Sequence, residues 1–330
     1  MVSMGIRFDF RNPAFAGTTM AERYGAALEM CEWAEGQGFD SITLSEHHGC
    51  DDGYLPSIFA FGAAVAARTK SARIRLAAVI APLHDPIRVA EDAAVVDHLS
   101  NGRLDIVLVN GYVPSEFEAF GKSMSDRVKL TTEAVATLRQ AWTGEPFQYR
   151  GRTVRVTPRP FQQPGPPLWL GGSSDGAARR AARIADAFLP TLPQYWDTYR
   201  DEMRTLGKAD PGPRMPGTSA YVHVTDDPDA TWAQVAKYAA HDMNEYGRWA
   251  EESGTVTGYE KIADPDVLRK FGMHLVMTPQ QCIDMIAAAG DQSTFMLHPL
   301  MGGVPPALAW ENLQAIETKV LPFIKTEGVR

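Results

Sequence analysis

The sequence predicts an α/β protein with the (β/α)₈ architecture, the TIM barrel, and two observations carry this prediction. Short β-type runs alternate with helical stretches eight times along the chain. Parallel strands joined by right-handed helical crossovers close most economically into a barrel when there are eight of them. An open doubly wound sheet is the alternative, but it normally has a glycine-rich phosphate turn after its first strand. The segment RFDFRNPAF at this position has no such turn.

Hydrophobic periodicity places each element of the predicted barrel. Strands are predicted at 5–10, 41–45, 73–80, 104–110, 167–172, 187–190, 219–225 and 293–299. Helices are predicted at 20–36, 57–69, 86–100, about 125–142, 175–186, 193–206, 279–289 and 306–325. No Pro- or Ser-rich linker divides the chain, so we expect one domain over residues 1–330.

Two segments interrupt the repeat. At 145–157, two short β-type runs flank Arg150 and Gly151, which predicts an inserted β-hairpin. The segment 226–278 is long and polar, with helical stretches and no predicted strand. We interpret it as an insertion on the barrel rim, where loops of this length are often lids. Its aromatic residues Tyr246, Trp249 and Tyr259 either close over a substrate or pack the insertion against the barrel.

Composition excludes several classes of protein. With 45% hydrophobic and 22% charged residues, the 330-residue chain has the balance of a folded globular protein. A net charge of −8 gives no electrostatic reason to bind nucleic acid or an anionic membrane. The three widely spaced cysteines suggest no disulfide framework, and the N-terminus lacks a signal-peptide pattern. We therefore expect a cytoplasmic protein.

The functional residues of a (β/α)₈ barrel lie at the C-terminal ends of its strands. Five of the eight histidines fall at or near these predicted ends: His47, His48, His84, His223 and His298. The run Glu46-His47-His48 is the most distinctive, since histidine exchanges protons near neutral pH and a neighbouring carboxylate can fix its tautomer. We predict His47 and Glu46 as catalytic residues. In the alternative, the histidine caps the strand end and Glu46 pairs with an arginine.

A second candidate site is the turn Gly171, Gly172, Ser173 and Ser174, which opens a helix. Free backbone N–H groups and the helix dipole suit a phosphate there. The alternative is an ordinary turn with a serine or aspartate as helix N-cap. Asp175 would repel a phosphate if it pointed inward, and Arg179 and Arg180 could compensate.

A metal site built from the strand-end histidines is a weaker alternative. The first strand lacks a His-x-His pair. The adjacent residues His47 and His48 would point to opposite faces of an extended strand. We therefore predict no metal.

The sequence resembles the bacterial luciferase-like family of flavin-dependent oxidoreductases. The resemblance rests on four segments in order: ITLSEHHG (42–49), RIRLAAVIAPLHDPIRVAEDAAVVDHLSNGRLDIVLVNG (73–111), EFEAFG (116–121) and PPLWLGGSSDGAARRAARIADAF (166–188). It implies a (β/α)₈ barrel, usually a dimer, that binds reduced FMN or, in another branch, the deazaflavin coenzyme F420. FMN-using members insert one oxygen atom of dioxygen into an organic substrate, with reduced FMN supplied by a flavin reductase. Members using F420 transfer hydride without oxygen, and some members are non-catalytic flavin-binding subunits.

The resemblance also assigns positions in this chain. His47 corresponds to the catalytic-region histidine of the family, and Ala77-Ala78 to a non-proline cis peptide beneath the flavin ring. The turn from Gly171 to Ser174 corresponds to the phosphate-binding segment. Asn110, followed by Gly111, stands where luciferase has an arginine that helps to hold the flavin phosphate. This departure loses a fixed charge but keeps an amide that can hydrogen-bond a flavin. A small apolar organic substrate is the expectation.

Overall fold

The computed structural model describes residues 2–214, 221–255, 258–290 and 293–324. The chain forms two compact units. Unit 1 comprises residues 1–43, 48–56 and 215–330, and unit 2 comprises residues 44–47 and 57–214. The organisation of the whole chain as one domain stays a prediction.

Unit 1 alternates strands and helices at both ends of the chain. Its strands are β1 (Ser3–Phe8), the first three residues of β2 (Ser41–Leu44), β9 (Val222–Val224), β10 (Leu275–Met277) and β11 (Thr294–Leu297). Its helices are α1 (Met20–Gly36), α8 (Pro228–Ser253), α9 (Asp266–Lys270), α10 (Pro279–Ala289) and α11 (Pro306–Lys319). The predicted residues 219, 220 and 325 lie outside the described residues.

The strands of unit 1 pair in parallel. Strand β1 lies beside β11, with Ser3 opposite Thr294 and Ile6 opposite Leu297. Strands β9 and β10 form a separate two-stranded parallel sheet. The expectation that 226–278 contains no strand is therefore wrong. Its β10 is a run of only three apolar residues, too short to show a period of two.

Helix α8 accounts for most of the segment that we interpreted as an insertion. Asp227 caps its first turn by accepting from the N–H of Ala230, Pro228 occupies an early helical position, and Gly254 ends it at φ 62°. Its buried face packs Trp232, Val235, Ala239 and Met243 together with Leu268 and Met301. Each large apolar side chain buried in this way contributes about 1.5–3 kcal/mol. Packing therefore holds this 26-residue helix against the rest of unit 1.

Unit 2 continues the strand–helix alternation. Its strands are β3 (Arg73–Ile80), β4 (Leu104–Val109), β5 (Phe147–Tyr149), β6 (Arg152–Val154), β7 (Leu168–Gly172) and β8 (Ala187–Pro190). Its helices are α2 (Ile58–Arg68), α3 (Pro86–Leu99), α4 (Pro114–Ala119), α5 (Arg127–Ala141), α6 (Asp175–Ile184) and α7 (Gln194–Thr205). Apart from the short α4, every element was predicted to within a few residues.

A parallel sheet in the order β3-β4-β7-β8 forms the centre of unit 2. The register of β3 against β4 shifts between Ala77 and Val79, which is a β-bulge near the C-terminal end of β3. The predicted hairpin is confirmed, because β5 and β6 pair in antiparallel fashion. Its turn residues Arg150 and Gly151 both have positive φ, at 47° and 75°, as a tight type I′ turn requires.

Among the described residues, no helix combines the length and the apolar content needed to cross a bilayer.

Candidate active site

The first functional candidate, His47, lies just beyond the buried strand β2. Its Nδ1 lies 2.8 Å from Oε1 of Glu116, and both side chains are almost completely buried. A carboxylate only accepts hydrogen bonds, so the pair puts the proton on Nδ1 and leaves Nε2 as an acceptor. The ring of Tyr112 approaches His47 edge-on, with centroids 6.0 Å apart. The arrangement gives His47 a fixed tautomer and a fixed ring plane.

A glycine turn brings Glu116 to this position. After β4 the chain turns at Gly111, which has φ 73°. A Cβ at this residue would lie 2.8 Å from Ile80 and 2.9 Å from Phe117. Only glycine adopts this conformation in so little space. The turn leads into α4, whose first turn carries Glu116.

The second predicted catalytic residue, Glu46, pairs with His84 and not with its sequence neighbour His47. Its Oε1 lies 2.8 Å from Nε2 of His84 and accepts from the N–H of Ile80 at 3.4 Å. The Glu46 side chain is fully buried, whereas a quarter of the His84 side chain is exposed. The carboxylate that fixes His47 is therefore Glu116, and Glu46 fixes His84.

The structure shows two features at the predicted ring-binding positions. The peptide bond between Ala77 and Ala78 is cis, as the resemblance implied. At the end of β4, the buried Oδ1 of Asn110 accepts no hydrogen bond from any described residue. A buried acceptor without a partner costs about 1–3 kcal/mol, so it is a natural place for a ligand N–H or hydroxyl.

In the predicted phosphate turn, the two serines are exposed and the glycines are packed against neighbouring residues. The hydroxyl of Ser174 accepts from the N–H of Ala177 and caps α6. Ser173 and Ser174 are both exposed. A Cβ on Gly172 would lie 2.4 Å from that of Ala177, so this glycine lets α6 pack on β7. Asp175 is engaged by the hydroxyl of Thr198 at 2.7 Å.

Unit 1 holds a second ionic cluster, centred on Arg11 beyond the end of β1. The Arg11 guanidinium lies 2.6 Å from Oδ2 of Asp52 through Nη1 and 3.1 Å from Oδ1 of Asp242 through Nε. The Arg11 and Asp242 side chains are at most 1% exposed. His241 also contacts Asp52, with Nε2 at 2.8 Å. Burial alone would raise the pKa of Asp52, but the hydrogen bonds and charges of His241 and Arg11 outweigh burial and hold this pKa below its ordinary value.

Three aromatic rings complete the surroundings of Arg11. The guanidinium carbon lies 4.9 Å from the ring centre of Tyr54, 4.8 Å from that of Tyr246 and 4.7 Å from that of Trp249. The hydroxyls of Tyr54 and Tyr246 lie 2.9 Å apart. Of the two readings of the aromatic residues in 226–278, the structure favours packing for Tyr246 and Trp249.

The predicted strand-end histidines meet carboxylates in both units: in unit 1, Nε2 of His298 lies 3.4 Å from Oδ2 of Asp9, and both side chains are fully buried. His47 and His84 of unit 2 each face a carboxylate. His223 is half-buried and His274, which directly precedes β10, is buried, and desolvation lowers their pKa values to about 4 and about 3. Local sequence spacing did not identify Glu116, which is 69 residues from His47. The only signal that pointed to it was its place in the segment EFEAFG, one of the four that carry the family resemblance.

Comparison with known proteins identifies the family. The model of the luciferase-like monooxygenase family matches residues 4–294. The chain therefore belongs to the luciferase-like monooxygenase family, and the predicted (β/α)₈ class and enzyme class are confirmed.

Individual relatives share modest identity. The FMNH₂-dependent dimethylsulfone monooxygenase of Pseudomonas fluorescens is 26% identical over 87% of each chain. Three other curated relatives, 28–33% identical, match over about half of this chain, and the chain spans about half of their length.

Solved structures of low identity share the fold. The oxygenating constituent of 3,6-diketocamphane monooxygenase from Pseudomonas putida, in complex with FMN, is 18% identical with a TM-score of 0.72 over 98% of this chain and 99% of that chain. An F420-dependent secondary alcohol dehydrogenase is also 18% identical, with a TM-score of 0.68 over 98% of this chain and 100% of that chain.

Proposed function

We propose that the protein is the oxygenase component of a two-component monooxygenase that uses reduced FMN and dioxygen to oxygenate a small apolar organic substrate. The observation that carries the proposal is the buried pair His47–Glu116 at the end of β2, in a chain of this family. A histidine held in one tautomer is a suitable proton donor and acceptor for oxygen chemistry. The FMN-bound and FMNH₂-dependent relatives support the choice of cofactor.

The residues at the strand ends fit a flavin. The unpartnered Oδ1 of Asn110 would accept from a ring N–H or a ribityl hydroxyl. Ala77 and Ala78 would lie against the ring, and Gly111 would lie beside it. The turn from Gly171 to Ser174, whose two serines are exposed, would receive the phosphate at the N-terminus of α6. When bound, FMN supplies the electrons that activate dioxygen.

The protein's own contribution is to orient and to hold protons. Glu116 keeps the proton of His47 on Nδ1, so Nε2 is the atom that exchanges protons with the reacting groups. Burial of both side chains excludes bulk water from this exchange and strengthens the ion pair when His47 is protonated. The pair is therefore suited to repeated protonation without change of ring position.

The test is a titration of the purified protein with reduced FMN and with reduced F420, followed by oxygen uptake. We expect micromolar or tighter binding of reduced FMN and oxygen consumption that depends on a flavin reductase and on substrate. Binding of FMN with no turnover for any organic substrate would indicate a non-catalytic flavin-binding subunit. Binding of neither coenzyme would overturn the proposal.

The F420-dependent transfer of hydride is the second candidate. Asn110 replaces the arginine that holds the flavin phosphate in luciferase, and the fold is shared with an F420-dependent dehydrogenase. This alternative predicts tight binding of F420 and turnover without oxygen. A matched anaerobic assay with each coenzyme separates the two candidates.

We further propose that the protein is a homodimer. Helix α3 exposes Val95 and Leu99, each 48% accessible and four residues apart, hence on one helix face. Light scattering after size exclusion should give the mass of a dimer, and Leu99→Lys should shift it towards the monomer. Val128→Lys on α5, where the valine is 43% exposed, is the matched control. A monomeric wild-type protein would contradict the proposal.

A further inference from the structure

Glu46 and His84 form a polar path from a buried carboxylate to solvent. Nε2 of His84 lies 2.8 Å from Oε1 of Glu46, and Glu46 is the residue immediately before His47. The Glu46 side chain is 0% exposed and the His84 side chain 25% exposed. The same carboxylate oxygen accepts from the N–H of Ile80, the last residue of β3. Glu46 thus lies at the strand end beside which our proposed function puts the flavin ring.

His84 opens on a cavity of about 300 Å³ in unit 2. The cavity is bounded by the hairpin β5–β6, helix α5 and the turn after β3, with Pro82, Lys122, Glu133, Tyr149 and Arg150 among its walls. A cavity of this size admits water and small buffer molecules to the imidazole. Solvent therefore reaches one end of the His84–Glu46 pair, whereas the other end is dry.

The proposed reaction needs a proton from solvent. Reduced FMN, dioxygen and substrate give oxidised FMN, oxygenated product and water. When reduced FMN enters as its monoanion, this balance requires one proton per turnover. A site that is closed to water during the reaction must receive that proton through protein groups.

We propose that His84 and Glu46 are a proton relay that supplies this proton, an inference that rests on the proposed function. His84 takes a proton from cavity water. The Nε2–H bond then breaks as a bond from Oε1 of Glu46 to hydrogen forms, which leaves His84 neutral and Glu46 protonated at the end of β3. Release of this proton to the flavin site returns Glu46 to its carboxylate, and His84 takes up the next proton from the cavity. Both are positioning residues, because they act on the reaction through proton supply.

The charges around His84 favour this role. Burial lowers its pKa, but the hydrogen bond and charge of Glu46 and the charge of Asp92 together raise it above the ordinary 6.5. Glu133 from α5 adds a negative wall to the cavity, whereas Lys122 and Arg150 add positive ones. A positioned imidazole beside a carboxylate both takes up and releases protons readily.

The first test is kinetic. His84→Ala should lower oxygen-dependent turnover by about 10²-fold, the lower end of what a positioned acid–base group contributes. It should also make turnover fall as buffer pH rises. Added imidazole, which fits the cavity beside position 84, should restore most of the rate. His98→Ala is the matched control, since His98 is an exposed histidine of the same unit that bonds only a backbone oxygen. It should leave both rate and pH profile unchanged.

The second test needs no cofactor. Titration of the His84 imidazole by NMR should show a pKa that falls in Glu46→Gln, because the carboxylate charge that raises it is lost. A pKa that does not change, or a His84→Ala enzyme with the wild-type rate and pH profile, would overturn the relay. A rate loss in His84→Ala that imidazole does not restore would indicate a structural role and also overturn it. A wild-type enzyme that consumes no oxygen with reduced FMN would contradict the proposed function itself, and the relay with it.

Discussion

Two groups of ionisable side chains at strand ends, one in each unit, differ in their access to water. In unit 2, His47 and His84 each face a carboxylate, and the second pair reaches a cavity of about 300 Å³ through His84. In unit 1, Arg11 is enclosed by two aspartates and three aromatic rings and has no exposure. The chemical groups are similar, but their access to water and their numbers of partners differ.

This difference separates proton exchange from structure. A histidine with one carboxylate partner and a route to solvent can change its charge at low cost. A guanidinium that never deprotonates, held by several partners, cannot take part in acid–base chemistry and instead links the elements that supply its partners. We therefore expect substitution of His47 or His84 in unit 2 to act mainly on rates and substitution of Arg11 in unit 1 to act on stability.

The largest effect should come from His47→Gln. Loss of a positioned acid–base group should lower oxygen-dependent turnover by about 10²–10⁴-fold, with little change in the free energy of unfolding. Glu116→Gln should give a smaller loss, because an amide oxygen still accepts from Nδ1–H but carries no charge. Oxygen-electrode assays and urea unfolding of the same samples measure both quantities. A His47→Gln enzyme of wild-type rate would end the assignment of His47.

Arg11→Ala should be the most destabilising change in unit 1. It leaves the buried carboxylates Asp52 and Asp242 without their cation, which typically costs about 3–5 kcal/mol. Arg88→Ala is the control, because Arg88 is 71% exposed and its pair with Asp92 contributes only about 0–1 kcal/mol. Urea unfolding measures both. Equal losses in the two variants would show that the Arg11 cluster does not stabilise unit 1.

Gly172→Ala should have an intermediate effect. Its Cβ would meet that of Ala177 at 2.4 Å, and overpacking of this kind costs about 1–3 kcal/mol. Gly176→Ala is the matched control, since its Cβ would have no neighbour closer than 3.9 Å. It should be neutral or slightly stabilising. If Gly172→Ala keeps full stability but loses FMN affinity, that glycine serves the phosphate rather than the packing of α6.

The smallest effects should appear in the dependence of stability on pH, with opposite signs for two histidines. The lowered pKa of His274 means that its contribution is present above pH 6.5 and is lost as pH falls towards 3. The raised pKa of His84 means that its contribution is present below pH 6.5 and is lost as pH rises through the folded-state value. The urea midpoint measured between pH 5 and 8 should therefore depend less on pH on the acid side in His274→Phe, and less on the alkaline side in His84→Gln. The same slope change in both variants would refute this assignment.

Local pattern was enough for the elements themselves. Strand and helix periodicities located β1 to β4, β7 and β8, and the pair Arg150-Gly151 located the hairpin. Strand β10 was missed, because three apolar residues carry no measurable period. Helix α4 was missed for the same reason, as it is only six residues long.

The sequence by itself determined the barrel class and the strand ends near which His47 lies, because hydrophobic burial repeats at short, regular intervals along the chain. Only the tertiary structure decided which carboxylate each histidine meets. Glu116 reaches His47 across 69 residues and His84 reaches Glu46 across 38. Such pairs depend on strand register and on turns such as that at Gly111, so a partner adjacent in sequence is displaced by one that the fold brings within hydrogen-bonding distance.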